Sequence, residues 1–533
     1  MNRSRALSRL SCVFAFLGVP SLVHAQQAVF VGDSTNDKIW RLEDTNHDGD
    51  LNDVGETTAF FDPALGGFAL QLGVGVSTAP DGTVYVSDTG EDVVYAFRDL
   101  NGDLDANDVG EARIHFDGRA GANADGVLMN SANSIYFDSS DGSVWVANAA
   151  SGVVGSVDEI YRLRDLNADG DCNDLGEAAR YWTAPAGLGS DYVPVAVIRD
   201  PSGTVLFVDD HTTPTGTAGG VFALTDLNAD GDAQDAGEYT PYFVPPVAAA
   251  QTWSIDRDAA GWYYMNDQTQ DVIWRFKDLN ADGDAQDTGE FSIWYSAGVA
   301  SIQWDVAVAD DGTVYTCEQS PVKRVWSMKD LDANGVIGAG ELTESYNATI
   351  SATVIGNLRG IALGSDPFVG TTYCFGDGAG TACPCANNSA VGDKVGCLSS
   401  LGTGGKLRAI GAATVGSDTI KLQGSQVPNG PGLYFQGPVQ LGSTPGFGNV
   451  FGDGLRCVGG SPVIRLGIIT ASGNASTYPF GVNPPNNIPV SVKGFCAAGD
   501  VRNYQLWYRD SAIGFCSAAV FNLTNALQLT WAP

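Results

Sequence analysis

An acidic segment recurs six times in the first two-thirds of the chain, and its spacing is that of a calcium-binding loop. In such loops, oxygen ligands at positions 1, 3 and 5 surround the ion, a glycine at position 6 allows a sharp turn, and a late glutamate completes the site. The sixth segment follows this template with Glu341 at position 12, whereas the other five have one extra residue and place the glutamate at position 13. We call these segments acidic loops 1 to 6; they span residues 44–56, 99–111, 165–177, 226–238, 278–290 and 330–341.

The ligand positions of the acidic loops carry only oxygen donors, which predicts Ca²⁺ as the cofactor. Asp, Asn and Gly also favour turns without any metal, but five carboxylates in one loop repel each other unless a cation offsets them. We expect loop 2 to be distorted because Leu104 replaces the glycine, and loop 6 to be weaker because Val336 stands at position 7. The candidate ligands are Asp44, Asn46, Asp48, Asp50, Asp53, Glu56, Asp99, Asn101, Asp103, Asp105, Asp108, Glu111, Asp165, Asn167, Asp169, Asp171, Asp174, Glu177, Asp226, Asn228, Asp230, Asp232, Asp235, Glu238, Asp278, Asn280, Asp282, Asp284, Asp287, Glu290, Asp330, Asp332, Asn334 and Glu341.

The segments between the loops predict four short strands per repeat. The loops start 55, 66, 61, 52 and 52 residues apart, a period that suits one blade of a β-propeller. An alternating strand such as Lys38–Leu42 or Val272–Phe276 precedes each loop, and Asp-Gly turns separate the earlier strands. Residues 28–31 begin the repeats without an inner strand, and a lone inner-type strand at residues 358–363 follows them. We therefore predict an all-β fold with a six-bladed propeller closed by the pairing of its two ends, which leaves no free sheet edge.

Segments such as residues 82–90, Gly-Thr-Val-Tyr-Val-Ser-Asp-Thr-Gly, resemble the NHL-repeat and gluconolactonase-like families of six-bladed propellers. The resemblance covers roughly residues 26–366 and implies the fold. It does not choose a function, because this fold hosts binders, scaffolds, lactonases and lyases.

A second set of polar residues repeats at the end of each second strand, where a propeller faces its central channel. The resemblance to lactonases implies that such a ring could hold a metal, but we favour the alternative that each residue caps its own hairpin turn. Asp305 and Arg359 could line the same mouth, as could Trp253 and Trp304, although a core position is favoured for both tryptophans. The six ring residues are Asp33, Asp88, Asn148, Asp209, Asp267 and Glu318.

The first 25 residues predict a secretory signal peptide. Arg3, Arg5 and Arg9 precede a short apolar run at residues 12–19, and residues 23–25, Val-His-Ala, offer a cleavage site. The run is too short to cross a bilayer of about 30 Å, and no later segment predicts a membrane span. We expect a secreted or cell-surface bacterial protein.

The charge of the remaining chain is unevenly distributed. Without residues 1–25, 25 Lys and Arg face 62 Asp and Glu; from residue 367 onward there are nine against six, which leaves 16 against 56 in residues 26–366. The net charge is therefore about −40 in the first region and +3 in the second. Such an acidic region excludes nucleic acid as a partner, because phosphate contacts need clustered Lys and Arg.

Residues 367–533 predict a second domain, a compact Cys-rich β-sandwich. Its expected strands lie at residues 419–422, 463–466, 490–492 and 504–508. Seven of the nine cysteines left after cleavage lie here, so disulfides are favoured over a metal at Cys383 and Cys385, and at least one thiol stays free or pairs between chains. Residues 450–457, 504–509 and 521–525 resemble an uncharacterised module of large secreted proteins from planctomycete-like bacteria.

Three functions fit this sequence. One is an extracellular binding or adhesion protein whose blades are stabilised by calcium and whose partner is an unidentified ligand, glycan or protein. Another is a metal-dependent hydrolase or lyase, gluconolactonase-like, with its site at the central mouth. The third is a structural surface-layer component. No nucleophile–base pair and no cofactor-binding motif stand out in the sequence, which favours the binding protein.

Overall fold

The structure is a computed structural model, and its description covers most of the chain after the predicted signal peptide. The predicted segment 1–25 and the predicted domain boundary at residue 366 lie outside the described residues. The described residues are 28–44, 49–71, 73–100, 103–149, 158–184, 192–210, 219–247, 250–298, 301–364, 369–391, 393–481, 484–512 and 514–533.

Six four-stranded antiparallel sheets form the blades of a propeller, as predicted. A single helical turn, α1 (Pro63–Gly66), lies after the first blade. The strands of blade 1 are β1 (Val29–Asp33), β2 (Lys38–Leu42) and β3 (Thr57–Phe61), and those of blade 2 are β4 (Gly73–Thr78), β5 (Val84–Asp88), β6 (Val93–Phe97) and β7 (Ala112–Asp117). Blade 3 has β8 (Ala132–Phe137), β9 (Val144–Asn148), β10 (Glu159–Leu163) and β11 (Ala178–Thr183), and blade 4 has β12 (Pro194–Arg199), β13 (Val205–Asp209), β14 (Gly220–Leu224) and β15 (Tyr239–Phe243). Blade 5 has β16 (Thr252–Arg257), β17 (Tyr263–Asp267), β18 (Val272–Phe276) and β19 (Phe291–Ser296), and blade 6 has β20 (Ile302–Val308), β21 (Val314–Ser320), β22 (Arg324–Met328) and β23 (Leu342–Asn347).

Blade 1 takes its innermost strand from the other end of the repeats, as the sequence predicted. Strand β24 (Leu358–Leu363) pairs with β1, and Val29, Phe30 and Val31 lie opposite Leu363, Ala362 and Ile361. The innermost strands of successive blades then pack in one closed cycle, β4, β8, β12, β16, β20, β24 and back to β4.

The blades bury apolar side chains on both of their faces. The second strands show this most clearly, since β5 is buried along its whole length. Between blades 1 and 2, the ring of Phe61 stacks on Phe97 with 4.1 Å between centroids. The alternating Val, Ile and aromatic residues of these strands suit a pleated sheet covered on both faces.

The residues after 369 form a β-sandwich, as predicted. A five-stranded sheet in the order β25-β36-β35-β28-β33 and a three-stranded sheet β26-β27-β34 share one core, to which Leu407, Tyr434, Tyr504 and Trp531 contribute. The strands are β25 (Thr371–Tyr373), β26 (Lys406–Ile410), β27 (Lys421–Ser425), β28 (Gly430–Gly437), β29 (Val439–Gln440), β30 (Asn449–Phe451), β31 (Gly454–Arg456), β32 (Val458–Gly459), β33 (Ile464–Ala471), β34 (Ser476–Tyr478), β35 (Val501–Arg509) and β36 (Phe521–Thr530).

The strand predicted at residues 490–492 is wrong, because this segment is the short helix α2 (Val490–Gly494). The segment has only three alternating residues, too few to define a period. Pro489 sets the backbone just before the turn, and the N–H of Ser491 donates to Asp418 Oδ2 at 2.6 Å. This side-chain hydrogen bond satisfies a backbone donor at the helix start that would otherwise need a partner strand.

The cysteines after residue 369 form disulfides, which is the expected use of Cys383 and Cys385. The pairs are Cys374–Cys457, Cys383–Cys397 and Cys385–Cys516. In the described part of the chain, Cys172, Cys317 and Cys496 remain thiols. None of the helices in the described ranges has the length and apolar character needed to cross a membrane.

Candidate metal sites of the acidic loops

Each acidic loop joins the third strand of a blade to its outermost strand. Loop 1 lies between β2 and β3, and loop 6 lies between β22 and β23. Since the innermost strands line the axis, the loops lie on the circumference of the disc, away from the central channel. Residues 45–48 of loop 1 and 101–102 of loop 2 lie outside the described residues, so the predicted ligands Asn46, Asp48 and Asn101 have no description.

The same turn occurs in all six loops. The aspartate at position 1 accepts a hydrogen bond through Oδ2 from the backbone N–H at position 6, and the residue at position 6 has a positive φ. This carboxylate thereby fixes the sharp turn around which the other oxygens gather. The bonds join Asp44 to Gly49 (3.1 Å), Asp99 to Leu104 (2.9 Å), Asp165 to Gly170 (2.9 Å), Asp226 to Gly231 (2.9 Å), Asp278 to Gly283 (3.0 Å) and Asp330 to Gly335 (2.8 Å).

Loop 2 keeps this turn although it lacks the glycine. Leu104 adopts φ +77, a left-handed conformation that costs a branched side chain roughly 1–2 kcal/mol. The glycines of loops 3 to 5 have φ of +101 or +102 at the same position. The sequence predicted a distortion at Leu104; the structure keeps the hydrogen bond and puts the strain in the backbone of this residue.

The late glutamate accepts hydrogen bonds from the backbone of its own loop. In loops 1 to 5 it is at most 3% exposed. Its Oε2 accepts from the N–H at position 10 in those loops, and in loops 2 to 6 its Oε1 accepts from the N–H at position 2. The first set joins Asp53 to Glu56 (3.1 Å), Asp108 to Glu111 (3.1 Å), Asp174 to Glu177 (3.2 Å), Asp235 to Glu238 (3.0 Å) and Asp287 to Glu290 (3.1 Å). The second joins Leu100, Leu166, Leu227 and Leu279 to Glu111, Glu177, Glu238 and Glu290 (2.8 Å each) and Leu331 to Glu341 (2.6 Å).

The pKa values of two of these glutamates move in opposite directions. Burial raises the pKa of Glu111. Glu341 is only half-buried, and hydrogen bonds from the backbone N–H groups of Gly338 and Leu331 lower its pKa. Glu111 therefore carries a negative charge that is costly to keep out of water.

In loops 3 to 5 the asparagine at position 3 lies between two carboxylates. Its Nδ2 donates to Oδ2 of the aspartates at positions 5 and 10. Because a flip of the amide exchanges its nitrogen and oxygen, the same side chain can turn Oδ1 toward a cation in this position. The distances are 3.0 and 2.7 Å from Asn167 to Asp169 and Asp174, 3.0 and 2.6 Å from Asn228 to Asp230 and Asp235, and 3.0 and 2.8 Å from Asn280 to Asp282 and Asp287.

Two groups of three carboxylates converge in the described part of the chain. Asp103, Asp105 and Glu111 of loop 2 have one oxygen each within 4.8 Å of one another, and so do Asp330, Asp332 and Glu341 of loop 6. These are the two loops for which the sequence predicted the poorer sites. Carboxylates alone suit a hard cation such as Ca²⁺ or Mg²⁺, and they exclude a thiolate or imidazole metal centre at these positions.

The ring residues near the axis are engaged in hairpin turns. Asp33 accepts from the N–H groups of Thr35 and Asn36 at 3.0 and 3.2 Å, and Asp88 accepts from those of Gly90 and Glu91 at 2.9 and 3.1 Å. All six are buried. Each of them also accepts a hydrogen bond from a residue that lies one or two positions before the start of an innermost strand. Those bonds join Asp33 to Gly356 (2.7 Å), Asp88 to Gln71 (2.7 Å), Asn148 to Asn130 (2.9 Å), Asp209 to Val193 (2.7 Å), Asp267 to Gln251 (3.3 Å) and Glu318 to Ser301 (2.7 Å).

The predicted mouth residues form a half-buried row across blades 5 and 6 and β24. The rings of Trp253 and Trp304 meet edge to face at 4.6 Å, and the guanidinium of Arg359 lies 3.7 Å from the Trp304 ring centroid. Asp305 accepts from the N–H of Ile361 at 2.9 Å, and burial raises its pKa to about 8. The row thus places an aromatic and cationic surface beside a carboxyl group whose pKa is raised.

Sequence reasoning missed one set of residues in the loops. Position 8 is apolar in every loop, although it lies between acidic positions, and this alternation was the available signal. In the structure the side chains at this position lie under the loop, and their exposed fraction is at most 7% in loops 1 to 5. The residues are Leu51, Ala106, Cys172, Ala233, Ala285 and Ile337.

Blades and loops together define the class of this molecule, a six-bladed β-propeller with one acidic loop per blade and a disulfide-linked β-sandwich. No protein-family model matches the sequence, and no curated protein matches it. Among solved structures the chain is similar to the periplasmic gluconolactonase of Pseudomonas aeruginosa, with 13% identity over 75% of this chain and 92% of that chain and a TM-score of 0.40. It is similar to regucalcin, a calcium-binding protein from Agrobacterium tumefaciens (15% identity, 50% and 74% covered, TM-score 0.34), and to virginiamycin B lyase from Staphylococcus aureus (14%, 51% and 69%, 0.33). Similarities at this level carry no argument about ligand or activity.

Proposed function

We propose that the protein is a secreted calcium-binding β-propeller that acts outside the cell as a binding or surface protein, with calcium in the acidic loops stabilising its blades. The observation that carries the proposal is the repetition of one turn, from an aspartate at position 1 to the N–H at position 6, in six loops. In loops 1 to 5 that turn places the carboxylate and amide side chains of positions 3, 5, 7 and 10 along one short stretch of backbone. In loops 2 and 6 three carboxylates have one oxygen each within 4.8 Å of one another. Calcium accepts six to eight such oxygens in flexible geometry, whereas Mg²⁺ demands a near-ideal octahedron.

The location outside the cell is supported by the cysteines. Three disulfides tie the region after residue 369, and such bonds persist in oxidising compartments. Calcium sites made of exposed surface loops also suit a medium rich in this ion, because an ion that binds only the native state stabilises it by mass action.

Calcium titration of protein stripped with EGTA tests the proposal. Calorimetry is expected to show several calcium ions bound per chain and much weaker binding of Mg²⁺. The variant Asp226→Asn combined with Asp230→Asn removes two ligands of loop 4 and is expected to lose one ion per chain. Asp81→Asn is the matched control, because Asp81 lies outside the loops and pairs with Arg98 at 2.8 Å on the surface. Absence of calcium binding in the wild-type chain overturns the proposal.

A metal-dependent hydrolase or lyase is the second candidate. The observation that favours it lies beside the ring residue Asp209, where Oδ1 of Asp210 is buried with no hydrogen-bond partner in the described residues, and burial raises the pKa of this group to about 7. A carboxyl group of this kind is poised to exchange a proton near neutral pH. A panel of lactones and sugar lactones, assayed with added Ca²⁺ and with Asp210→Asn as the comparison, separates this candidate from a binding protein.

A further inference from the structure

Every acidic loop reaches across to the preceding blade. The backbone N–H at position 8 donates to a carbonyl on the outermost strand of the neighbour, so the contact recurs at all six junctions between blades. The apolar side chain at the same position packs beneath the loop. The bonds join Leu51 to Ser345 (2.7 Å), Ala106 to Phe60 (2.7 Å), Cys172 to His115 (2.7 Å), Ala233 to Tyr181 (2.7 Å), Ala285 to Tyr242 (2.8 Å) and Ile337 to Trp294 (2.7 Å).

Loops 1 to 3 add a second bond through an asparagine at position 9, and in loop 3 Oδ1 of Asn173 accepts from the N–H of Asp117 at 2.8 Å. Oδ1 of Asn107 in loop 2 accepts from the N–H of Asp62, just after β3, at 2.8 Å. Oδ1 of Asn52 in loop 1 accepts in the same way from the N–H of Asn347, the last residue of β23, at 2.8 Å. Asn52 and Asn107 make equivalent contacts at different junctions.

The junction under loop 1 differs from the others in its chain connection. In blades 2 to 6 the four strands follow one another along the chain, whereas blade 1 takes β24 from the far end of the repeats, and this strand belongs to the blade only because it pairs with β1. Asp33 reinforces that pairing near the axis by accepting from the N–H groups of Gly356 and Asn357 at 2.7 and 3.0 Å. Loop 1 holds the same junction at the outer edge, where the N–H of Ala352 also donates to the carbonyl of Asn52 at 2.9 Å.

We propose that the acidic loops are clasps between neighbouring blades, and that loop 1 is the outer lock that keeps the propeller ring closed. Near the axis, β1 and β24 form the inner lock. A contact at the circumference resists the separation of blades 1 and 6 with the longer lever arm, so its loss allows the β1–β24 pair to open more often.

Calcium engages this lock, and this part of the inference rests on the proposed function. Asn52 lies between the candidate ligands Asp50 and Asp53, and its own N–H donates to Asp50 Oδ1 at 2.8 Å. An ion that fixes the carboxylates of positions 7 and 10 therefore also fixes the asparagine that holds blade 6. Removing the ion frees that segment and weakens the lock.

Thiol labelling of the full-length secreted protein tests the lock, because two buried thiols report on different places. Cys317 is fully buried in blade 6, and its Sγ donates to the carbonyl of Arg359 on β24 at 2.9 Å, so ring opening exposes it. Cys172 is fully buried in loop 3 and reports on a junction that the chain itself connects. Asn52→Ala is expected to speed the labelling of Cys317 about tenfold, the effect of losing one buried hydrogen bond, and to leave Cys172 unchanged.

Asn107→Ala is the matched control, since it removes the equivalent bond between blades 1 and 2. We expect it to leave Cys317 labelling at the wild-type rate. Equal acceleration of Cys317 by both variants, or no acceleration by Asn52→Ala, overturns the lock. Hydrogen exchange of the β1 and β24 amides gives a second readout. It is expected to be faster in Asn52→Ala than in the wild type and unchanged in Asn107→Ala.

Calcium separates this inference from the proposed function. In EGTA, Cys317 labelling of the wild type is expected to rise, and Asn52→Ala is expected to add little further, because both changes release the same contact. If calcium does not bind while only Asn52→Ala accelerates Cys317, the lock stands and the proposed function fails. If calcium binds while the two asparagine variants behave alike, the proposed function stands and the lock fails.

Discussion

The propeller, β1 to β24, and the sandwich, β25 to β36, are stabilised by different means in one chain. The propeller lies in a region with 56 acidic and 16 basic residues, and the thiols of Cys172 and Cys317 stay reduced inside it. The sandwich region has six acidic and nine basic residues and holds all three disulfides. Regular blades share large apolar faces with two neighbours, so their weak points are the long loops on the circumference. The sandwich has a smaller core and long irregular connections, which covalent links restrain.

Calcium removal is expected to have the largest effect and to act on the propeller alone. An ion at about 100 times its Kd contributes about 2.7 kcal/mol, so the loss of two ions lowers the Tm of the propeller by roughly 10 °C. Differential scanning calorimetry with EGTA measures this shift. Thiol labelling shows which region the shift in Tm comes from. Cys172 and Cys317 of the propeller are expected to react faster in EGTA, while Cys496 of the sandwich is expected to keep its labelling rate. A melting curve that EGTA leaves unchanged contradicts the role given to calcium.

Disulfide removal is expected to act on the sandwich alone. Cys385 and Cys516 are 131 residues apart, and Cys383 and Cys397 are 14 apart. Because a cross-link restricts the unfolded chain more when it closes a longer loop, replacing the first pair by serine is expected to cost about 4–5 kcal/mol and replacing the second about 3 kcal/mol. Urea unfolding, monitored by hydrogen exchange of the β28 and β35 amides, measures both losses of stability. Destabilisation of β1 to β24 by either change would show that the two regions are not separately stabilised.

Acid is expected to weaken the propeller through His115. Burial lowers the pKa of this imidazole from 6.5 to about 4, so His115 stays neutral in the folded protein at pH values where it is protonated in the unfolded chain. The stabilisation is fully present above pH 6.5 and is lost as the pH falls toward 4, by about 3 kcal/mol in total. Urea midpoints measured between pH 7.5 and 4 with excess calcium check this. In His115→Gln the loss is expected to be smaller by that amount, and the sandwich, which contains no histidine, serves as the internal control.

The sequence predicted what local patterns encode. Strands β2 and β18 were predicted to the residue, because alternating apolar residues end at an acidic turn on one side and at Asp-rich hairpins on the other. Ring closure followed from a missing strand at one end and a spare strand at the other. At residues 490–492 three alternating residues could not distinguish a strand from a helix whose start is satisfied by Asp418.

Contacts between blades could not be predicted from local sequence patterns. The bond from Leu51 to Ser345 joins residues almost 300 positions apart, and nothing in the loop itself shows which strand lies opposite. The central ring is a similar case, because spacing placed Asp33 at the end of a strand but could not show that Gly356 donates to it. Only the arrangement of the blades supplies these partners.

The smallest expected effect distinguishes backbone strain from metal binding in the loops. Leu104 has φ +77 at position 6, so Leu104→Gly relieves a strained conformation and is expected to stabilise the propeller by about 1 kcal/mol. Gly231→Ala makes the opposite change in loop 4, where φ is +102 and no atom lies within 4 Å of the added Cβ, and is expected to cost about 1–2 kcal/mol. Urea midpoints measured in EGTA give the effect of this backbone strain on the free energy of unfolding in the absence of calcium. If both variants shift the midpoint in calcium but not in EGTA, position 6 acts through the cation, and the turn itself is not strained in the empty loop.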